Sequence, residues 1–309
     1  MFVYGPVPSR RLGHSLGVDI IPRKTCSYSC VYCQLGRTKK CQIQLESFFP
    51  PESILKEIGV RLNSGQPDYL SFVGHGEPTL SSDLGRLIDV CKNRWPIPVA
   101  VITNGSLFYD PQVRRNLLQA DVVLPSLDAA NETVFQKINR PHPDLHLDKI
   151  IDGLIAFRQE YAGKIRLEIM LVENINDSEE HILELKKIVD IVKPDVVDIS
   201  IPIRPPTEKW AKPPSLERIF FAQKIMGGTD VMTTSEQGSI GLANFQSVME
   251  AVEQLSIRHP LNIGQAIAIE RSFGQDGEIK KLVSQGLLRQ EEFEGRLFIF
   301  PVDKDNLPG

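Results

Sequence analysis

The sequence contains no apolar run approaching the roughly 18 residues that a membrane-spanning helix requires, so it does not read as a helical membrane protein. Its first residues, MFVYGPVPSRRLGHS, lack the unbroken apolar stretch and small-residue cleavage site of a secretory signal. Internal repeats and low-complexity tracts are missing too, and the hydrophobic and charged fractions depart from those of disordered, collagen and coiled-coil chains. Cysteine is scarce: five residues, an odd number, in a chain with no export signal argue against a disulfide framework. A cytoplasmic protein is expected. Positive charge is not in excess, since 35 Lys+Arg against 39 Asp+Glu leave a net charge of −4. That balance argues against a uniformly basic nucleic-acid binder, although local patches steer phosphates whatever the total.

What is present is an ordinary globular composition, 41% hydrophobic and 24% charged over 309 residues. That length accommodates a large domain with an appendage. Apolar runs over 15–21, 68–74, 97–103, 121–127, 164–172 and 195–203 read as strands. Amphipathic stretches over 51–62, 84–94, 110–119, 147–161 and 178–192 read as the helices between them. Repeated βα units imply a parallel sheet covered by helices. Six strands fall short of the eight of a closed barrel, so a partial (β/α)6 TIM-like barrel is expected, over residues 1–235. A Pro-rich segment, 204–215, reads as a loop closing the barrel, and helices follow over 216–226 and 243–258. The tail then reads as helix, helix and a β-hairpin turning at Glu294-Gly295. That order predicts a small winged-helix-like α+β appendage over residues 236–309.

The chemistry concentrates in KTCSYSCVYCQLG, where Cys26, Cys30 and Cys33 follow a C-x3-C-x2-C spacing. Buried structural thiols would follow a strand or helix period, whereas these lie in a polar loop after a strand. Structural zinc wants four ligands in paired short spacings, and no second pair is present. Three thiolates fit a [4Fe–4S] cluster with one iron left open for a cofactor or substrate; electron-transfer ferredoxins use four.

With Tyr32 directly before Cys33, this motif resembles that of the radical S-adenosylmethionine superfamily, and the resemblance extends over about the first 205 residues. It implies that the open iron is chelated by S-adenosylmethionine. One electron from the cluster then cleaves this cofactor to methionine and a 5′-deoxyadenosyl radical, which abstracts hydrogen from a substrate. It further implies a reductant such as flavodoxin or ferredoxin. Gly74-His75-Gly76-Glu77-Pro78 resembles the Gly-Gly-Glu-Pro loop that recognises the cofactor's methionine, with His75 in place of a glycine. Thr103-Asn104-Gly105 and Ser126-Leu127-Asp128 resemble strand-end positions near the ribose and substrate, where parallel βα folds bind ligands; capping is the alternative reading for Asn104 and Asp128. Tyr32 is expected to support the adenine through its backbone. Glu168, within an apolar strand, is either a ligand contact or half of an ion pair. Arg204, at a strand end, is a contact for an anionic group or a solvated surface residue.

The stretch GPVPSRRLGHSLGVDIIP resembles a branch related to wyosine-type tRNA-modifying enzymes, but no cysteine precedes Cys26, so a second cluster is not expected. Cys41 and Cys91 read as ordinary thiols. Basic residues Arg10-Arg11, Arg23-Lys24 and Arg37-Lys39-Lys40 surround the cysteine loop, as a solvated rim or as guidance for phosphates. The substrate expectation is tRNA or a nucleotide-derived base, with peptide or protein modification, including glycyl-radical activation, as the alternative. An iron–sulfur regulator that binds DNA through the tail is the non-enzymatic rival. The tail's second helix shows no recognition face, so DNA binding is not expected.

Overall fold

The structure is a computed structural model that describes residues 1–63, 65–230, 241–242, 245–256 and 260–302. The chain opens with an antiparallel hairpin, β1 (Val3–Ser9) and β2 (Gly13–Val18). Next comes the cysteine loop, held between two-residue strands β3 (Thr25–Cys26) and β4 (Lys40–Cys41). Helices and strands then alternate: α1 (Pro51–Leu62), β5 (Tyr69–Phe72), α2 (Leu84–Arg94), β6 (Val99–Thr103), α3 (Pro111–Leu117), β7 (Val122–Pro125), α4 (Glu132–Ile138), α5 (Leu147–Glu160), β8 (Lys164–Met170), α6 (Glu179–Val192), β9 (Val196–Ser200), α7 (Leu216–Met226) and β10 (Thr229–Asp230).

Eight of these strands form one sheet in the order β1-β2-β5-β6-β7-β8-β9-β10, parallel from β2 onward. Among the described residues β1 and β10 end the sheet and do not pair with each other, so the barrel is open, and β2, β5, β6, β7, β8 and β9 are the six strands read from the sequence. The helices cover one face with a core that includes Phe72, Phe108, Phe135, Phe157 and Tyr161. Strand β8 shows why. Ile165, Leu167 and Ile169 are buried, while Arg166, Glu168 and Met170 alternate onto the opposite, concave face. At the bottom of that concave face Leu12, Ala100, Val122 and Leu124 make a small separate core.

Besides the two-residue strands β3, β4, β10 and β11, two longer elements were not expected. Strand β1 is interrupted by Pro6 and Pro8, which hides a strand signal; an edge strand tolerates them because its outer N–H groups need no partner. Its hairpin turn carries Arg10, Arg11 and Leu12 inward over the concave face. Helix α4 is only seven residues long, buries just Phe135 and Ile138, and is capped by Asn131, whose side chain accepts from the Val134 N–H at 3.1 Å. Ser178 caps α6 in the same way, accepting from His181 N at 3.2 Å.

Residues 201–215 are irregular, as the prolines imply. Beyond them α8 (Val248–Ser256), β11 (Leu261–Asn262), α9 (Ile263–Ser272), α10 (Glu278–Ser284), β12 (Leu288–Phe293) and β13 (Arg296–Pro301) share a second core around Val252, Leu255, Ile269, Leu282 and Ile299. Their sheet runs β11-β13-β12 and is antiparallel. The β12–β13 turn falls at Glu294 and Gly295, both with positive φ (48° and 70°), the geometry of a two-residue hairpin. The boundary expected at residues 235 and 236 lies outside the described residues, as do the first two and last two residues of the helix expected over 243–258.

Candidate active site

The cysteine loop is pinned on both sides. The Ser29 N–H and the Val31 N–H donate to the Asn139 and Ile138 carbonyls at the end of α4, at 3.0 and 2.9 Å. From the other side the Thr207 and Glu208 N–H groups reach the Cys33 and Val31 carbonyls at 2.9 and 3.0 Å. The Pro-rich segment therefore clasps the loop that carries the cysteines. Glu208 adds ion pairs to Arg37 (2.8 Å) and Arg140 (2.6 Å).

Cys26, Cys30 and Cys33 are half-buried and free of disulfides. Burial pushes all three thiols up, most of all Cys26, where Glu77 adds to the effect, and Cys30, where Asp128 does. At Cys33, burial is partly opposed by a backbone hydrogen bond at Leu35 and by Lys24. Such thiols ionise when a cationic metal centre takes them as ligands. Two buried-side donors await the sulfurs: Asn104 Nδ2 lies 3.5 Å from Cys26 Sγ, and Asn139 Nδ2 lies 3.5 Å from Cys30 Sγ. Among the described residues no three His, Cys, Asp or Glu side chains converge on one point, as a single zinc ion demands. A cubane takes each thiolate on a different iron, so the donor set fits a [4Fe–4S] cluster with one open iron.

The loop after β5 packs against this motif with no room to spare. A Cβ on Gly74 would lie 2.0 Å from Asp19 Oδ1, and one on Gly76 would lie 1.8 Å from the Thr25 carbonyl oxygen. Only glycine lets the two loops touch. His75, which departs from the usual motif, binds through its backbone: its carbonyl accepts from Lys24 N at 2.9 Å. Its Nδ1 pairs with the Asp19 carboxylate.

Glu77 is 2% exposed. Its Oε1 accepts from Thr79 N (3.0 Å), Thr79 Oγ1 (2.6 Å) and Thr103 Oγ1 (2.6 Å), and its Oε2 from Asn104 N (2.7 Å). Burial still raises its pKa above the usual 4.5 against these hydrogen bonds. A carboxylate offers about four acceptor sites, so Glu77 spends most of its capacity tying β5 to β6. Asn104 in turn donates to Ser27 Oγ at 2.8 Å and accepts from Ser106 N at 2.9 Å.

On the Cys30 side Asp128 is the hub. Its carboxylate accepts from Tyr32 OH (2.5 Å), Asn139 Nδ2 (2.7 Å) and Met170 N (2.9 Å), and burial pushes it up to about 6 in spite of them. Tyr32 is thus fixed by its hydroxyl. Ser126 is half-buried and bridges to Glu168 across the strand ends. Glu168 is half of an ion pair: Arg11 Nη1 lies 2.7 Å from it, and Ser200 Oγ donates to it at 2.7 Å. Burial alone would raise this carboxyl; Arg11 and the Ser200 hydrogen bond outweigh it and hold it below the usual range. Arg204 is buried, 8% exposed, with Nη1 donating to Gln34 Oε1 at 3.1 Å. It is no solvated surface arginine.

These groups face a cavity of about 250 Å³ on the concave side, lined by Arg10, Arg11, Tyr32, Cys33, Glu168 and Arg204 among others. The family model described as the Radical SAM superfamily matches residues 20–185, more than half of the chain. The chain belongs to the radical SAM superfamily. UPF0026 protein MJ1312 of Methanocaldococcus jannaschii is 37% identical over 304 residues, which cover 96% of this chain and 94% of that one. The probable dual-specificity RNA methyltransferase RlmN of Dictyoglomus thermophilum is 23% identical over 220 residues, 68% of this chain and 61% of that one. In fold, the solved structure of TYW1 with a lysine-pyruvate adduct bound matches with a TM-score of 0.53 at 16% identity, over 74% of this chain and 76% of the other. As a radical SAM enzyme the protein works with a [4Fe–4S] cluster and S-adenosylmethionine.

The tertiary structure thus unites all the expected positions, with Glu77, Thr103 and Asn104 against Cys26, Tyr32 and Asp128 beside Cys30, and Glu168 and Arg204 in the cavity. Sequence reasoning missed Asn139, because the helix that presents it was not read. It placed Arg10 and Arg11 on a basic rim, because the hairpin that folds them inward was hidden by its prolines. Gln34, directly after Cys33, carried no signal of its own.

Proposed function

We propose that this radical SAM enzyme modifies a nucleotide unit, free or within tRNA, by hydrogen abstraction. The observation that carries the reading is the cavity beside Cys33, where Arg10, Arg11 and Arg204 converge on a space lined by only one carboxylate, Glu168. Guanidinium groups are well matched to phosphate. The name of the RlmN relative, an RNA methyltransferase, points the same way.

Cys26, Cys30 and Cys33 would hold the [4Fe–4S] cluster, which together with S-adenosylmethionine supplies one-electron reductive cleavage followed by hydrogen abstraction. The amides of Asn104 and Asn139 donate toward two of the sulfurs, which tunes the electronics of such a centre. Glu77 holds the Gly74–Pro78 loop against β6, so that its backbone presents the methionine-binding surface. Tyr32, anchored on Asp128, keeps its backbone beside the adenine position, and Thr103, Asn104 and Ser126 line the strand ends near the ribose. Arg11, paired with Glu168, and Arg204, held by Gln34, are set to orient an anionic substrate. We read residues 1–235 as the catalytic barrel and 236–309 as a winged-helix-like accessory domain. We also infer a reducing cytoplasm, where free thiols persist, and a flavodoxin or ferredoxin as electron donor.

The test is anaerobic reconstitution with iron and sulfide, reduction, addition of S-adenosylmethionine and chromatography for 5′-deoxyadenosine, with and without bulk tRNA or mononucleotides. Nucleotide-stimulated release that is lost in the Arg10→Ala variant is the expected result. Release stimulated by peptide extracts and indifferent to nucleotides would overturn the substrate reading.

A further inference from the structure

A second cavity, of about 300 Å³, opens between the cysteine loop and the C-terminal unit. Its barrel side is formed by Arg23, Lys24, Gln34 and Lys209, and its other side by Arg289, Phe300 and Ser256 with Glu291. Four cations face one carboxylate, Glu291, which pairs with Arg289 at 2.6 Å and leaves a net positive lining in a chain whose net charge is negative. The cavity shares Gln34 and Leu35 with the cavity beside Cys33, so those two residues are the wall between them.

Three features mark this as a built site. The Arg289 guanidinium carbon lies 4.6 Å from the centre of the Phe300 ring, a cation–π pair that offers a flat, charged platform. Ser256 is 2% exposed, and its hydroxyl has no hydrogen-bond partner among the described residues. A buried hydroxyl left unpaired is costly unless a ligand satisfies it. Lys24 adopts a left-handed backbone (φ 60°), unusual for a residue other than glycine, and its carbonyl accepts from both Lys39 N (2.9 Å) and Lys40 N (3.1 Å). Gly36 takes a positive φ (85°) beside the Lys24 ammonium, so the turn after Cys33 favours glycine there.

We infer that this cleft binds the phosphates of a nucleotide substrate, holding the flanking backbone of a single-stranded RNA while the reacting unit enters the cavity beside Cys33. Phosphate charge meets Arg23, Lys24, Lys209 and Arg289, and a base can stack on the Arg289–Phe300 platform. The appendage's cation in the cleft, Arg289, lies on β12, and Lys280 and Lys281 of α10 do not line it, so contact is with the backbone and carries no sequence reading through a helix. This inference rests on the nucleotide reading above and extends it from a single unit to a polymer.

The experiment measures fluorescence anisotropy of a short fluorescein-labelled single-stranded RNA of mixed sequence with the full-length protein, with GMP as competitor. Lys209 and Arg289 are both exposed, so the Lys209→Ala/Arg289→Ala double variant is expected to fold. Single strands lose about 0.7 in the log–log salt slope per phosphate contact, so four cations predict a slope of about −2.8 and the double variant about −1.4. Raising salt from about 50 to about 200 mM then weakens binding about 50-fold in the wild type and about sevenfold in the variant. RNA binding with that difference supports the cleft as an RNA track. If GMP binds as tightly as RNA and shows the same sensitivity, the phosphates held are those of a free nucleotide. Binding that is identical in the double variant overturns the cleft, and nucleotide-stimulated 5′-deoxyadenosine release by the wild type would then leave the nucleotide reading standing. Absence of both binding and stimulation sinks both.

Discussion

Replacing Glu77 by alanine is expected to destabilise the metal-free protein by about 3–5 kcal/mol. The carboxylate is 2% exposed and accepts four hydrogen bonds, two of them from the backbone N–H groups of Thr79 and Asn104. The Thr79 and Thr103 hydroxyls can turn to other acceptors, but the two N–H groups are fixed by the backbone. Each buried donor left stranded costs about 1–3 kcal/mol, and the small cavity left by the side chain adds to that. Glu77→Gln keeps the shape and one acceptor oxygen. Its amide nitrogen does least harm facing Asn104 N, where one bond is lost and two donors oppose each other, for about 1–2 kcal/mol. Urea denaturation of the apo protein, followed by circular dichroism, measures both variants. A second readout is iron content after reconstitution, because Glu77 positions Asn104, which reaches Cys26 Sγ. The reasoning is refuted if alanine costs less than about 1 kcal/mol, or if glutamine costs as much as alanine.

Other expectations follow from the same geometry. Cys30→Ala should abolish iron uptake, whereas Cys41→Ser and Cys91→Ser should retain a full complement, since Cys41 is exposed and Cys91 lies in the helix core; iron and sulfide assays decide it. Gly76→Ala forces a methyl to within 1.8 Å of the Thr25 carbonyl oxygen, so it should cost about 1–3 kcal/mol as overpacking and impair iron binding at the adjacent Cys26. His181 has its pKa lowered by burial, partly opposed by Glu184, and its Nε2 accepts from Ala130 N at 3.3 Å. The folded state therefore prefers neutral His181: its contribution is complete above the ordinary histidine value of 6.5 and is lost as pH falls from there through the lowered folded value. Asp128, pushed up to about 6, takes up a proton in the same window and acts in the opposite sense, so the test is the difference: between pH 7.5 and 5.5, each about one unit from the histidine value, the wild type should lose more melting temperature than His181→Gln, and parallel profiles would contradict it.

The strands and the cysteine motif were legible for different reasons. Buried parallel strands are continuous apolar runs, so β5 to β9 announce themselves one by one. The three cysteines stand close together in sequence, on one loop from the end of β3 to β4, so their spacing is visible without the fold. Strand β1 was illegible because its prolines erase the local signal, and its place is decided by pairing with β2. Helix α4 was illegible because seven residues with two buried side chains carry too little periodicity.

Local pattern and spacing, with the family resemblance they carry, therefore made legible the open barrel of βα units, the cysteine loop and the glycine loop beside it, since each depends on residues near one another in the chain. Which polar groups pair was decided by the tertiary structure. Arg11 meets Glu168, Tyr32 meets Asp128, and Arg204 meets Gln34 across long stretches of chain. The energy of a buried charge depends on who stands beside it, and only the folded sheet brings those neighbours within reach.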